Sequence, residues 1–341
     1  MKPFVKLFGL PWLVLYGLVP LVSAGEHSAE LVKQAKREGK VIWYTTLSVP
    51  ESSKLAGLFQ KHYPFAKVEI VRSGGGALVN RILAEFSGKV HTVDVILGAD
   101  SRGGIPVFKK RGIITRYKAP ERKFVASGLK DKDGYWTSLY QLTFILAYNT
   151  ELVKPKNIPR NYTDLLKPQW KGRKILNDTE NFLWFGALLN YWGREKGLAY
   201  FRKLAHQEQV FQRGARGRIQ LVMAGEFPVT IGYGPHAQGY ASQGAPIDWV
   251  PLEPVVVSPI SILLAKQAPH PNAAKLFINF LFSKEAQLKL RDFHRIPSRT
   301  DMDPDPPRLF KGFKKITFDH EGLMGMSKIA DLYRKTFGLT R

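Results

Sequence analysis

Val68-Glu69-Ile70-Val71-Arg72-Ser73-Gly74-Gly75-Gly76-Ala77-Leu78-Val79 carries the chain from a strand, through a glycine loop, into a helix. The run 68–71 is rich in β-branched residues, which suit a pleated surface. Leu78, Val79, Ile82, Leu83 and Phe86 then recur at helical spacing. Three successive glycines at the junction relax steric limits on the backbone and leave its N–H groups uncovered by side chains. A helix that starts this way attracts anions, because its first N–H groups lack intrahelical acceptors and its dipole is positive there.

The same alternation extends both ways. Upstream, Lys40 to Thr46 reads as a buried strand ending in Thr45-Thr46-Leu47-Ser48. Ser48 and Glu51 have the spacing of a capping box. The helix they open places Leu55, Leu58, Phe59 and His62 on one face and stops before Pro64. Downstream, Val93-Asp94-Val95-Ile96 is the next strand. Strands alternating with helices predict a mostly parallel sheet, with ligands at the carboxyl ends of its strands.

Tyr135 to Asn149 is a long β-rich run without helical periodicity, the pattern of a strand crossing between domains. A second α/β unit follows. Asn177-Asp178-Thr179-Glu180 leads into a helix, Ile219, Leu221, Val222 and Met223 mark another, and Val229 to Tyr233 is a strand opening into Gly234-Pro235-His236. Asp248 to Leu264 reads as the return crossover, and Pro271 to Phe282 as a helix rejoining the first domain. Two crossovers predict two lobes, a hinge and a cleft. Residues 25–138 and 256–341 form the expected first lobe, 139–255 the second, with the hinge near 137–149 and 248–262.

Lys2 and Lys6, an apolar run from Leu7 to Val22, and Val22-Ser23-Ala24 before Gly25 read as a cleaved signal peptide, residues 1–24. The expected location is therefore periplasmic. The chain has no cysteine, which excludes disulfides, thiolate metal sites and a cysteine nucleophile. Its formal charge of +23 favours an anionic ligand. Basic residues are dispersed, and export argues against nucleic acid as the partner. No Gly-x-Ser-x-Gly elbow, His-Glu-x-x-His motif or paired-carboxylate spacing is present, so no catalytic residue is assigned and the chain is not read as an enzyme.

Several segments, in this order and spacing, resemble the periplasmic substrate-binding proteins of ABC importers, extracellular solute-binding family 1, in the branch near ferric-ion-binding proteins. They are Val41 to Thr46, Arg72 to Leu83, Val93 to Ile96, Trp170-Lys171-Gly172-Arg173, Ala224-Gly225-Glu226, Phe277 to Ala286, and Arg295-Ile296-Pro297-Ser298-Arg299. The resemblance implies an α/β, two-lobed type 2 periplasmic-binding-protein fold: two mostly parallel sheets flanked by helices, hinged by crossover strands. It also implies a receptor that hands a solute to membrane permease subunits; a monomer is the default expectation. Iron-binding members carry two adjacent tyrosines after the strand that here ends Val229-Thr230-Ile231. This chain has Gly232-Tyr233-Gly234-Pro235-His236, with a single tyrosine.

The expected solute is thus a small anion, phosphorylated or carboxylated. A ferric iron–anion complex is the alternative cargo, and no resident cofactor or metal ligand set is assigned. From the first lobe the candidate ligand groups are Thr45, Thr46, Arg72, Ser73 and the amides of Gly74, Gly75, Gly76 and Ala77. Ser138 and Tyr140 lie on the first crossover. Asp178, Thr179, Tyr233 and His236 come from the second lobe. Arg213, Arg216 and Arg218 form a basic cluster before a helix, largely solvated, with one facing the anion.

Overall fold

The computed structural model describes residues 29–100, 103–317 and 325–339; the expected signal peptide, 1–24, lies outside them. The first group of elements is α1 (Ala29–Glu38), β1 (Lys40–Thr45), α2 (Val49–His62), β2 (Lys67–Arg72), α3 (Gly75–Ser87), β3 (Val95–Leu97), α4 (Gly104–Arg111) and β4 (Ile114–Thr115). The long strand β5 (Thr137–Asn149) leads away to β6 (Ile175–Asn177), α5 (Phe182–Trp192), α6 (Arg194–Ala205) and β7 (Val210–Phe211). That second group continues with α7 (Ala215–Met223), β8 (Val229–Tyr233), α8 (Gly234–Ala241) and β9 (Ile247–Val250). The chain returns through β10 (Val255–Ala265) to α9 (Pro271–Phe282), α10 (Lys284–Asp292) and β11 (Ile296–Pro297), then ends in β12 (Lys315–Thr317) and α11 (Met326–Phe337).

Strand order is β2-β1-β3-β10-β5-β8-β6-β7. The outer strands are parallel in both lobes: β1 pairs with β2 and β3, and β6 with β7 and β8. Pairing turns antiparallel where the crossovers enter. The first half of β5 pairs with β10, Thr137 opposite Ile262 and Thr143 opposite Val257. Its second half pairs with β8 and β9, Phe144 opposite Tyr233 and Asn149 opposite Ile247. One strand thus belongs to both sheets, which is why Tyr135 to Asn149 shows no helical period.

Side-chain alternation fills a core on each sheet face. On β1, Val41 and Trp43 enter the cluster that holds Leu55, Phe59 and Phe277, whereas Tyr44 enters the one holding Leu78, Ile82 and Phe108. Trp43 and Phe59 both meet Phe277 edge-on, at 5.1 and 5.0 Å between centroids. The second lobe likewise has one cluster around Phe185, Phe201 and Tyr333 and another around Ile219, Ala237 and Trp249.

The sequence division placed residues 256–341 in the first lobe, and this is corrected at the C-terminus. Helix α11 buries Met326, Ala330 and Tyr333 in the second lobe's core. The aromatic stripe is the reason: Tyr333 packs on Phe182 and Phe185, with Phe337 on Phe185 and Phe201.

Candidate functional site

Four helices begin at one cavity of about 380 Å³ between the lobes. From the first lobe comes α3, with Gly74, Gly75 and Gly76. From the second come α5 (Asn181, Phe182), α7 (Gly214 to Gly217) and α8 (Tyr233, His236). None of the four is closed by a side-chain cap. Their first-turn N–H groups and dipoles therefore give the cavity a positive potential from both sides.

Charged side chains add to it. Arg72 ends β2 at the rim, paired with Thr45 in the ladder, its exposed side chain without a hydrogen bond or ion pair among the described residues. The acids are largely committed. Asp178 pairs with the buried Arg218 and accepts the Glu180 N–H at 2.9 Å. Glu180 faces Arg213 at 3.5 Å. Asp100 accepts the Ser261 N–H at 2.8 Å. At the back wall, Glu51 of α2 takes Arg216 at 2.8 Å and Arg295 at 2.7 Å. Burial works to raise the Glu51 pKa, but Arg295, Arg216 and hydrogen bonds from Ser48 outweigh it and hold it below the ordinary value.

The neutral polar groups keep their protons in place. Burial pushes the Tyr140 phenol up to about 12, although Arg295 beside it pulls the other way. Tyr233, packed on Phe144 at 4.7 Å, is raised by burial and by the nearby Asp178 charge. His236 meets Tyr233 edge-on at 5.5 Å; burial first, then Arg295 and Arg216, hold its pKa well below 6.5. Among the described residues no three of histidine, aspartate and glutamate converge as a metal site.

Of the residues expected from sequence, Thr46, Arg72, Gly74, Gly75, Gly76, Tyr140, Asp178, Tyr233 and His236 meet at this cavity. Thr45, Ser73, Ala77, Ser138 and Thr179 do not line it. Alternation along β1 turns Thr45 into the core, where its hydroxyl accepts the Leu47 N–H at 3.1 Å. Ser138 is buried in a hydrogen bond of 2.8 Å with Ser298. Of the basic cluster expected to send one arginine to the anion, Arg213 and Arg216 line the cavity while Arg218 is buried rather than solvated; the lining also includes Gly98, Asp100, Gly214 and Arg295, with Phe144 and Ser258 from the crossovers. Arg213-Gly214-Ala215-Arg216-Gly217 repeats the logic of the first glycine loop, and that signal was readable. Arg295 is brought in by the return of α10; it opens the segment 295–299 that carries part of the resemblance, but nothing local to it marks a place at the cavity.

Residues 91–316 match the family model described as bacterial extracellular solute-binding protein. A probable ABC transporter periplasmic-binding protein of Sinorhizobium fredii is 25% identical over 131 residues, 38% of this chain and only 34% of that protein. A putative 2-aminoethylphosphonate-binding periplasmic protein of Salmonella typhimurium is 27% identical over 251 residues, 70% of this chain and 71% of that one. Among solved structures, AfuA of Actinobacillus pleuropneumoniae with exogenous fructose-6-phosphate has a TM-score of 0.78 at 22% identity, covering 89% of this chain and 99% of AfuA. Iron-bound HitA of Pseudomonas aeruginosa has a TM-score of 0.76 at 19% identity, covering 87% and 99%. The two structures share the two-lobed fold.

Proposed function

The chain belongs to the family of bacterial extracellular solute-binding proteins, and from that premise we propose that it is a periplasmic receptor carrying a small phosphorylated or phosphonylated solute to an ABC permease. The observation that carries this reading is the convergence of four uncapped helix N-termini and the unpaired Arg72 on one cavity. A tetrahedral oxyanion is the group such a donor set recognises best, since it accepts from several N–H groups at once. Closure over the solute supplies both halves of the donor set, so binding stabilises the closed state. The solute leaves unchanged, because no nucleophile with an adjacent base lines the cavity among the described residues. The Salmonella relative's phosphonate and the sugar phosphate in AfuA agree with this class of cargo.

An iron–anion complex is the second reading, favoured by Tyr140 and Tyr233 lining the same cavity. Their raised phenol pKa values and the surrounding guanidinium groups weigh against it. Thermal unfolding with 2-aminoethylphosphonate, fructose 6-phosphate and ferric citrate separates the two. A ligand at about a thousand times its dissociation constant adds about 4 kcal/mol. The proposal expects the stabilisation from a phosphonate or phosphate ester; stabilisation by ferric citrate alone overturns it.

A further inference from the structure

Arg295 is 2% exposed and lies at the wall between the inter-lobe cavity and an adjoining one of about 290 Å³. Its Nη2 donates to both Glu51 oxygens, at 2.7 and 3.0 Å, while Nε and Nη1 have no hydrogen-bond partner. Glu51 is shared with Arg216 at 2.8 Å. One carboxylate therefore faces two guanidinium groups, and a unit of positive charge is left over at the wall. Beside them the buried His236 Nδ1 also has no partner. The guanidinium of Arg295 is held in place by Glu51 and by the Tyr140 ring, 5.4 Å from its centroid. Buried N–H groups without an acceptor are costly, so an acceptor brought within reach of this fixed guanidinium is favoured.

We propose that Arg295, with Arg216, forms a second oxyanion subsite, so that the solute carries two separate acid groups: a phosphoryl or phosphonyl group at the start of α3 and Arg72, and a carboxylate at Arg295. This rests on the reading of the cavity as an anion site and names the solute class more closely. The leftover charge at the wall is one unit, which a carboxylate matches. Glu51 limits that charge, so a second full phosphate dianion is disfavoured there. A cavity of about 380 Å³ accommodates a short phospho-carboxylic acid.

Glycerol 3-phosphate and 3-phosphoglycerate form a matched pair of probes, identical except that a hydroxymethyl end in one is a carboxylate in the other. Calorimetric titration of the wild-type protein is expected to give 3-phosphoglycerate an advantage of about tenfold or more, the span of a charge-assisted hydrogen bond. Arg295→Lys keeps the charge but loses the planar fork, and is expected to reduce that ratio to below about threefold. Arg216→Lys, at the more exposed partner, is expected to reduce the same ratio, and serves if Arg295→Lys does not fold. Equal affinity of the wild type for the two probes, or an undiminished preference in the folded variants, overturns the subsite while leaving the anion site standing. Binding of neither probe overturns the subsite, and the anion site then stands or falls with 2-aminoethylphosphonate and fructose 6-phosphate.

Discussion

Glu51 and Arg216 meet across the cleft at 2.8 Å, one from the first turn of α2 and the other from the first turn of α7. The same carboxylate accepts from Ser48 N–H at 3.0 Å and from Arg295 at 2.7 Å. A helix-capping residue of one lobe is thus also the anchor for two arginines at the wall of the inter-lobe cavity. It ties the contact between the lobes to the charge that the cavity presents.

That linkage has a pH signature. The folded Glu51 pKa lies below its ordinary 4.5, so the stability it contributes is fully present above 4.5 and is lost as pH falls through the folded value. Glu51→Gln removes this component and weakens the pairing with Arg295, costing about 1–3 kcal/mol near neutral pH. Denaturant unfolding over an acid series should show the gap between wild type and variant shrinking below pH 4.5. A constant gap contradicts the assignment.

Arg72 separates binding from folding. Its side chain is exposed and unpaired among the described residues, so Arg72→Ala is expected to leave the ligand-free unfolding midpoint in place. Loss of a charged hydrogen bond to an anion costs about 1.5–3 kcal/mol, or roughly 10- to 100-fold in affinity for a phosphate ester. A drop in midpoint without a drop in affinity reverses the assignment.

Gly98 is required by geometry. Its φ is +91°, and a Cβ there would run into the Thr46 side chain. Gly98→Ala should therefore cost at least about 1–3 kcal/mol of stability and displace Thr46 from the cavity wall. A variant as stable as the wild type would show that this turn has another conformation available.

The C-terminal helix supports the site from behind. Tyr333 is fully buried, and its hydroxyl donates to the backbone carbonyl of Asp178, at the loop that opens α5. Tyr333→Ala should cost about 3–5 kcal/mol, in the range of large aromatic truncations, and weaken binding through that loop. Tyr333→Phe should lose only the hydrogen bond, about 1 kcal/mol. Similar losses for both variants would assign the role to the hydroxyl instead of the ring.

Much of this arrangement was legible in the sequence because it is local. The strand–glycine–helix junction at 68–79 and the crossover at 137–149 declare themselves by periodicity and by Gly placement. So the first lobe's half of the cavity, Thr46, Arg72 and Gly74 to Gly76, could be read directly. Thr45 and Ser138 lie off the cavity for one reason: the face a strand residue presents depends on register, and here β1 and β5 turn both inward. Arg295 and the docking of α11 on the second lobe are set by tertiary packing. Arg295 is 244 residues from Glu51, a separation at which no local pattern operates.

Calorimetric titration of the wild-type protein with 3-phosphoglycerate tests the central claim most directly. The account predicts one site per chain with a dissociation constant of about micromolar or tighter, typical of a small ligand enclosed by both lobes. Arg72→Ala should weaken it at least tenfold, in line with the loss of one charged hydrogen bond. No heat with this or any other phosphate or phosphonate, alongside one-to-one uptake of ferric citrate, would contradict it and assign the cavity to iron.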